Sequence, residues 1–141
     1  MTTKSIISAE NLVLGRLASR VAKRLLGGDT IIIVNAEKAL ITGTKESVMR
    51  TYNFKRDVGT RRKGPYYPRT PDRMLKRTVR GMVNYQTPRG RAAYKRLKVF
   101  LGTPAEFEGA QIESVKDART QAARSVTLET VARELGFEVK L

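Results

Sequence analysis

The sequence predicts an α/β fold built on a parallel sheet, and three runs near the N-terminus predict it. Lys4 to Ala9, with Ile6-Ile7, reads as a short strand. Leu14, Leu17, Ala18, Val21, Ala22 and Leu25 then recur at i, i+3, i+4, i+7, i+8 and i+11, one apolar stripe at helical period. Ile31-Ile32-Ile33-Val34 follows as an unbroken β-branched run, which suits a strand covered on both faces, as in a parallel sheet. Strand, helix, strand in this spacing is a βαβ unit.

The remaining elements follow in order. Arg16, Arg20, Lys23 and Arg24 lie largely off the first helix's stripe, and Gly27-Gly28 ends that helix. Leu40-Ile41-Thr42 reads as another short strand, closed by Gly43. Thr44 to Lys55 forms a helix with Val48, Tyr52 and Lys55 on one side. Gly59 to Arg69 is a loop, because Gly59, Gly64, Pro65 and Pro68 oppose regular structure. Thr70-Pro71 and Thr87-Pro88 each place a capping hydroxyl before a proline at the first helical position. On the helix after Pro71, Leu75, Val79, Met82 and Val83 form the core-facing side. Leu97 to Leu101 is a further strand, and Thr103-Pro104 with Glu106 starts a short helical turn. Thr127 caps a last helix at about 127–136, with Leu128, Val131, Ala132 and Leu135 as its stripe and Gly136 as its stop. Phe137 to Leu141 reads as an extended tail.

Composition narrows the function. The 141 residues suit one domain, 1–141. Cysteine and histidine are both absent, which removes disulfides, thiolate nucleophiles and the commonest general base and metal ligand. Glu10, Glu37 and Glu46 are scattered, and no spacing pairs carboxylates for acid/base work or a metal. No catalytic residue, metal site or cofactor is therefore expected, and the chain reads as a non-enzyme. No apolar run approaches the roughly 20 residues of a membrane span, so a cytoplasmic location is the default expectation. Gly43-Thr44-Lys45 lacks the spacing of a phosphate loop and reads as a turn before a helix. Gly27-Gly28 follows a helix and not a strand, so it is no dinucleotide fingerprint.

The net charge of +15 points to a polyanion partner. Its distribution is more telling. From Met49 to Lys98 there are 16 Lys/Arg against Asp57 and Asp72, a net of +14, while the rest of the chain carries only +1. Region 49–98 is thus the candidate nucleic-acid surface. Arg73, Lys76, Arg77 and Arg80 recur at i, i+3, i+4 and i+7, so four cations share one helix face. Like charges at that spacing repel, and a phosphate backbone would neutralise them. A solvated face normally mixes both signs. Arg89, Arg91, Lys95, Arg96 and Lys98 form a second cluster, and Arg61-Arg62-Lys63 a third, on the loop. Arginine forks bind phosphate oxygens two at a time. Tyr66 and Tyr67 either stack on bases or pack the loop onto the body; the residues alone leave both open. The RNA-binding set read from the basic region is Lys55, Arg56, Arg61, Arg62, Lys63, Arg69, Arg73, Lys76, Arg77, Arg80, Arg89, Arg91, Lys95 and Arg96.

Beyond these patterns, the chain resembles the universal large-subunit ribosomal protein thirteen family over nearly its whole length. The resemblance is carried by Asn11-Leu12-Val13-Leu14-Gly15-Arg16-Leu17-Ala18-Ser19, Ile33-Val34-Asn35-Ala36-Glu37-Lys38 and Thr42-Gly43. It continues through Arg80-Gly81-Met82, Thr87-Pro88-Arg89-Gly90-Arg91-Ala92-Ala93, Lys95-Arg96-Leu97-Lys98-Val99-Phe100 and Gly102. Bacterial members commonly continue with Leu-Pro after the Gly-Met pair, where Val83-Asn84-Tyr85 stands here. The helix from Thr127 to Gly136 looks like the archaeal and eukaryotic branch.

The resemblance implies a three-layer α/β/α fold around a small, mostly parallel sheet of about four strands. It implies a structural role in the large ribosomal subunit, with ribosomal RNA and neighbouring ribosomal proteins as partners and a contribution to assembly and translation. It places RNA contacts on the basic middle of the chain, with Arg73, Lys76, Arg77, Arg80, Arg89 and Arg91 as the carried-over residues. Eukaryotic members are also linked to messenger RNA. Two rival classes fit these residues less well. A duplex-DNA reader would want a dimer surface and Asn or Gln at base-reading positions, and the Arg73–Arg80 face offers only cations. An α/β enzyme on a phosphorylated substrate would need a base or metal cluster, which no spacing proposes.

Overall fold

The computed structural model of the protein describes residues 3–119 and 124–137. Four strands form a wholly parallel sheet in the order β4-β2-β1-β5: β1 (Lys4–Ser8), β2 (Thr30–Val34), β4 (Leu97–Val99) and β5 (Ile112–Glu113). Ile6 lies opposite Ile32, and Ile31 opposite Leu97. A separate antiparallel pair joins β3 (Leu40–Thr42) to β6 (Ser125–Thr127).

The β-branched run of β2 is buried residue by residue on both faces. Ile31 and Ile33 enter the main core, while Ile32 and Val34 join a second cluster with Phe107, Ile6 and Phe100. That division is what a central parallel strand requires, because successive side chains point to opposite faces. The layers follow from it. Helices α1 (Leu14–Leu26), α3 (Pro71–Met82) and α4 (Pro88–Lys95) pack together on one side of the sheet. The other side is a thin layer made by the one-turn helix Ala105–Phe107 and Phe100. Helices α2 (Lys45–Asp57) and α5 (Leu128–Glu134) sit beside the β3–β6 pair.

The predicted stripe of α1 is buried at all six positions: Leu14, Leu17, Ala18, Val21, Ala22 and Leu25. Fully burying a leucine side chain contributes about 1.5–3 kcal/mol, so this stripe anchors the helix layer. Of the basic residues off the stripe, Arg24 is half-buried. It bonds Asp29 and Glu113 at 3.1 Å each and donates to the Ser5 hydroxyl, tying α1 to β1 and β5. Helix α5 ends as expected. The Thr127 hydroxyl accepts from the Thr130 N–H, and Gly136 (φ 99°) turns the chain so that the Phe137 N–H reaches the Ala132 carbonyl. Residues 138–141 of the expected extended tail lie outside the described residues.

Four local expectations need correction. Thr70 makes no side-chain cap: its hydroxyl is buried without a partner, whereas the Thr87 hydroxyl accepts from the Gly90 N–H at 3.1 Å. The core-facing side of α3 is Met74, Leu75 and Val79, continued by Val83, while Met82 is 42% exposed. The helix packs on α1 and β4 together, and that contact turns Met74 inward and Met82 out. The strand after α4 stops at Val99, two residues short of Leu101, and Gly102 (φ 62°) opens the turn that follows. Helix α2 also runs two residues beyond Lys55, to Asp57.

Candidate nucleic-acid interface

Helix α3 presents its cations as the spacing predicts. Arg73, Lys76, Arg77 and Arg80 line one cleft of about 820 Å³ together with Arg69, Tyr66, Tyr67 and Tyr94. The opposite side of the same helix is buried, so the cationic side is fixed in direction by packing. Asp72, in the first turn, also lines the cleft. It forms no ion pair with any described residue.

The cations rest on tyrosine rings. Lys76 Nζ lies 5.0 Å from the centre of the Tyr94 ring, Arg77 Cζ 5.7 Å from Tyr67, and Arg80 Cζ 4.3 Å from Tyr85. Lys55 Nζ sits between two rings, 4.8 Å from Tyr52 and 5.0 Å from Tyr67. The rings pair edge-to-face, Tyr52 with Tyr67 at 6.0 Å and Tyr85 with Tyr94 at 5.3 Å. A ring face attracts a cation by roughly 0.5–1 kcal/mol at exposed sites without neutralising it. The rings thus orient the side chains and leave their charge available. Burial pushes the Tyr52, Tyr67 and Tyr94 hydroxyls above the ordinary phenol value, so these rings stay neutral beneath the cations.

Among the described residues, the only ion pair in the basic region is Arg56 with the adjacent Asp57, at 2.9 Å. Hydrogen bonding to Arg56 holds the Asp57 carboxyl below its usual range. The other ion pairs among the described residues lie outside residues 49–98. The positive surface is therefore not capped by the chain's own described acids.

The second cluster behaves differently from the first. Arg89 donates to the Leu26 carbonyl at 3.2 Å and Arg96 to the Leu25 carbonyl, so both close the C-terminus of α1. Cations there satisfy orphan carbonyls and match the helix dipole. Arg91 donates to the Tyr85 and Gln86 carbonyls and holds the turn before α4. Lys95 is exposed, and Lys98 points to the sheet face opposite α1, in register with Ile32. The structure thus gathers Arg69 and the α3 cations in one cleft, with Arg69 also donating to the Leu135 carbonyl at 3.5 Å, and gives Arg89, Arg91 and Arg96 structural bonds besides any contact with a partner.

The loop between α2 and α3 opens with a tight turn. Thr60 and Gly64 exchange backbone hydrogen bonds at 3.2 and 2.9 Å. A Cβ on Gly59 would overlap the Gly64 carbonyl, so only glycine allows that approach. Arg61, Arg62 and Lys63 stand exposed at the tip. The two tyrosines that follow separate. Tyr67 packs on Tyr52, and Tyr66 stays in solvent. What sequence reasoning missed is the part played by Tyr52, Tyr67, Tyr85 and Tyr94. A signal was present: all five tyrosines of the chain fall inside the basic block.

The sequence profile of the family described as Ribosomal protein L13 matches residues 2–106. A protein named Large ribosomal subunit protein uL13 from Archaeoglobus fulgidus is 50% identical, over 94% of this chain and 88% of its own length. Its namesake from Methanococcoides burtonii is 49% identical, over 94% and 97%. That from Methanopyrus kandleri is 46% identical, over 96% and 88%. These relatives also cover much of the C-terminal part that the family profile leaves out, in agreement with the archaeal character of the last helix. With a profile match across most of its length and relatives near half identity, the chain belongs to the ribosomal protein L13 family.

Proposed function

We propose that this protein is a structural constituent of the large ribosomal subunit that docks on ribosomal RNA and supports subunit assembly and translation. It contacts neighbouring subunit proteins and performs no catalysis of its own. One observation carries the reading: α3 holds four cations toward a cleft, three of them on tyrosine rings and none on a carboxylate. Phosphates are the partner that such a face lacks, and phosphate contacts dominate nucleic-acid affinity. A rigid, ring-backed face also favours folded RNA, which proteins recognise largely by shape and by its backbone. The exposed turn Arg61-Arg62-Lys63 would engage a second RNA segment, so the domain clamps two. A messenger RNA partner would have to use the same face, which puts the two RNAs in competition for it.

The test is co-sedimentation with large subunits followed by crosslink mapping. The protein is expected to travel with the subunit and to crosslink to RNA through peptides of α3 and the 59–66 loop. Recovery only at the top of the gradient, or crosslinks confined to α5, would overturn the proposal.

A further inference from the structure

Two aromatic side chains in the basic region, Phe54 and Tyr66, stand exposed with no ring or cation contact among the described residues, and only Tyr66 lies on the wall of the α3 cleft. Tyr66 is 67% exposed, and among the described residues it joins neither an aromatic pair nor a cation–ring contact, unlike the other four tyrosines. It is nevertheless held in place. Its hydroxyl donates to the Arg61 carbonyl at 2.6 Å, across the tight turn, and one edge of the ring lies against Gly64. An exposed ring fixed at both ends is preorganised to be covered by something flat.

Its surroundings say what kind of thing. Tyr66 and Arg69 form a shared wall between two hollows. One is the α3 cleft, with Arg73 and Arg77; the other, of about 420 Å³, is lined by Thr60, Arg61 and the Arg56–Asp57 ion pair, so Arg61 and Arg69 are its unpaired cations among the described residues. The ring thus stands on a ridge with arginines on either side. A nucleotide strand alternates flat bases with anionic phosphates, and base–aromatic stacking tolerates any base, since every base has a π-face.

We propose that Tyr66 is a stacking platform for one unpaired RNA base, with the flanking phosphates received by the arginines of the two hollows. This rests on the RNA-binding reading above and sharpens it: the strand that crosses the ridge is single-stranded or bulged, because a base inside a helix has both faces covered by its stacked neighbours. A neighbouring protein covering the ring is the competing outcome.

The probes are an RNA hairpin with a three-nucleotide bulge and the same hairpin with an unbroken stem, both closed by the same loop so that only the bulge differs, titrated with the full chain over a salt series. The unaltered protein is expected to prefer the bulged hairpin. Tyr66→Leu should lose that preference by roughly 5- to 150-fold, the range set by stacking of one base, with the salt slope unchanged. Tyr66→Phe keeps the ring and should stay within about twofold of the unaltered protein on that scale. Circular dichroism melting of both variants separates a folding defect from a lost contact. Undiminished preference in a folded Tyr66→Leu would overturn the platform, as would equal losses on both hairpins or coverage of Tyr66 by protein crosslinks alone. If the unaltered protein binds neither hairpin nor ribosomal RNA, the RNA-binding reading itself fails, and the platform with it.

Discussion

Thr70 and Thr87 stand in the same sequence setting, each before a proline that opens a helix, yet only Thr87 caps. Its hydroxyl accepts from the Gly90 N–H and donates to the Asn84 carbonyl, so it closes both the helix start and the turn before it. Thr87→Ala should cost about 1 kcal/mol in urea unfolding, within the 0.5–2 kcal/mol range of lost caps. Thr70→Val, which removes a buried hydroxyl with no partner, should leave the midpoint unchanged or raise it. Equal losses at the two sites would refute the distinction. Tyr52 offers a test by pH. Burial holds its proton above the ordinary value near 10, so above that pH an unfolded chain loses the proton first. The stability linked to this group is complete below pH ~10 and drains away as pH rises toward the folded value. Tyr52→Phe should therefore lose stability less steeply between pH ~9 and ~11. Parallel curves for the two proteins would contradict it.

At the scale of elements, periodicity carried most of what was legible. The α1 stripe and the two-faced burial of β2 were readable because each rests on local spacing that tertiary structure only had to accept. Helix α3 was readable in its cations and off by part of a turn in its core, because docking against both α1 and β4 selects Met74 over Met82. Strands β5 and β6 were not legible at all. They have two and three residues, and they are strands only because β1 and β3 offer an edge. The α4 contact hides in a glycine: a Cβ on Gly90 would overlap the Val83 and Asn84 carbonyls, which are backbone and cannot swing away. Gly90→Ala should thus destabilise, despite alanine's better helix propensity of roughly 1 kcal/mol over glycine. A thermal melt at or above that of the unaltered protein would show that the turn yields.

For the molecule as a whole, charge segregation was visible in the sequence and its division of labour was not. The +14 block was plain, but which arginines serve the fold depended on where α1 ends. Arg89 and Arg96 close that end, while Arg73, Lys76, Arg77 and Arg80 share the cleft. The α3 cations lie on the side away from the core, so replacing all four with alanine should leave the fold intact while stripping the surface. The most direct measurement of the central claim is the salt dependence of ribosomal RNA binding by this quadruple variant. Each lost phosphate contact removes about 0.7–0.9 from the slope of log affinity against log salt, so the slope should fall by about three, with affinity reduced at every salt concentration. An unchanged slope in a variant that melts like the unaltered protein would contradict the account, because the α3 face would then not be where the RNA lies.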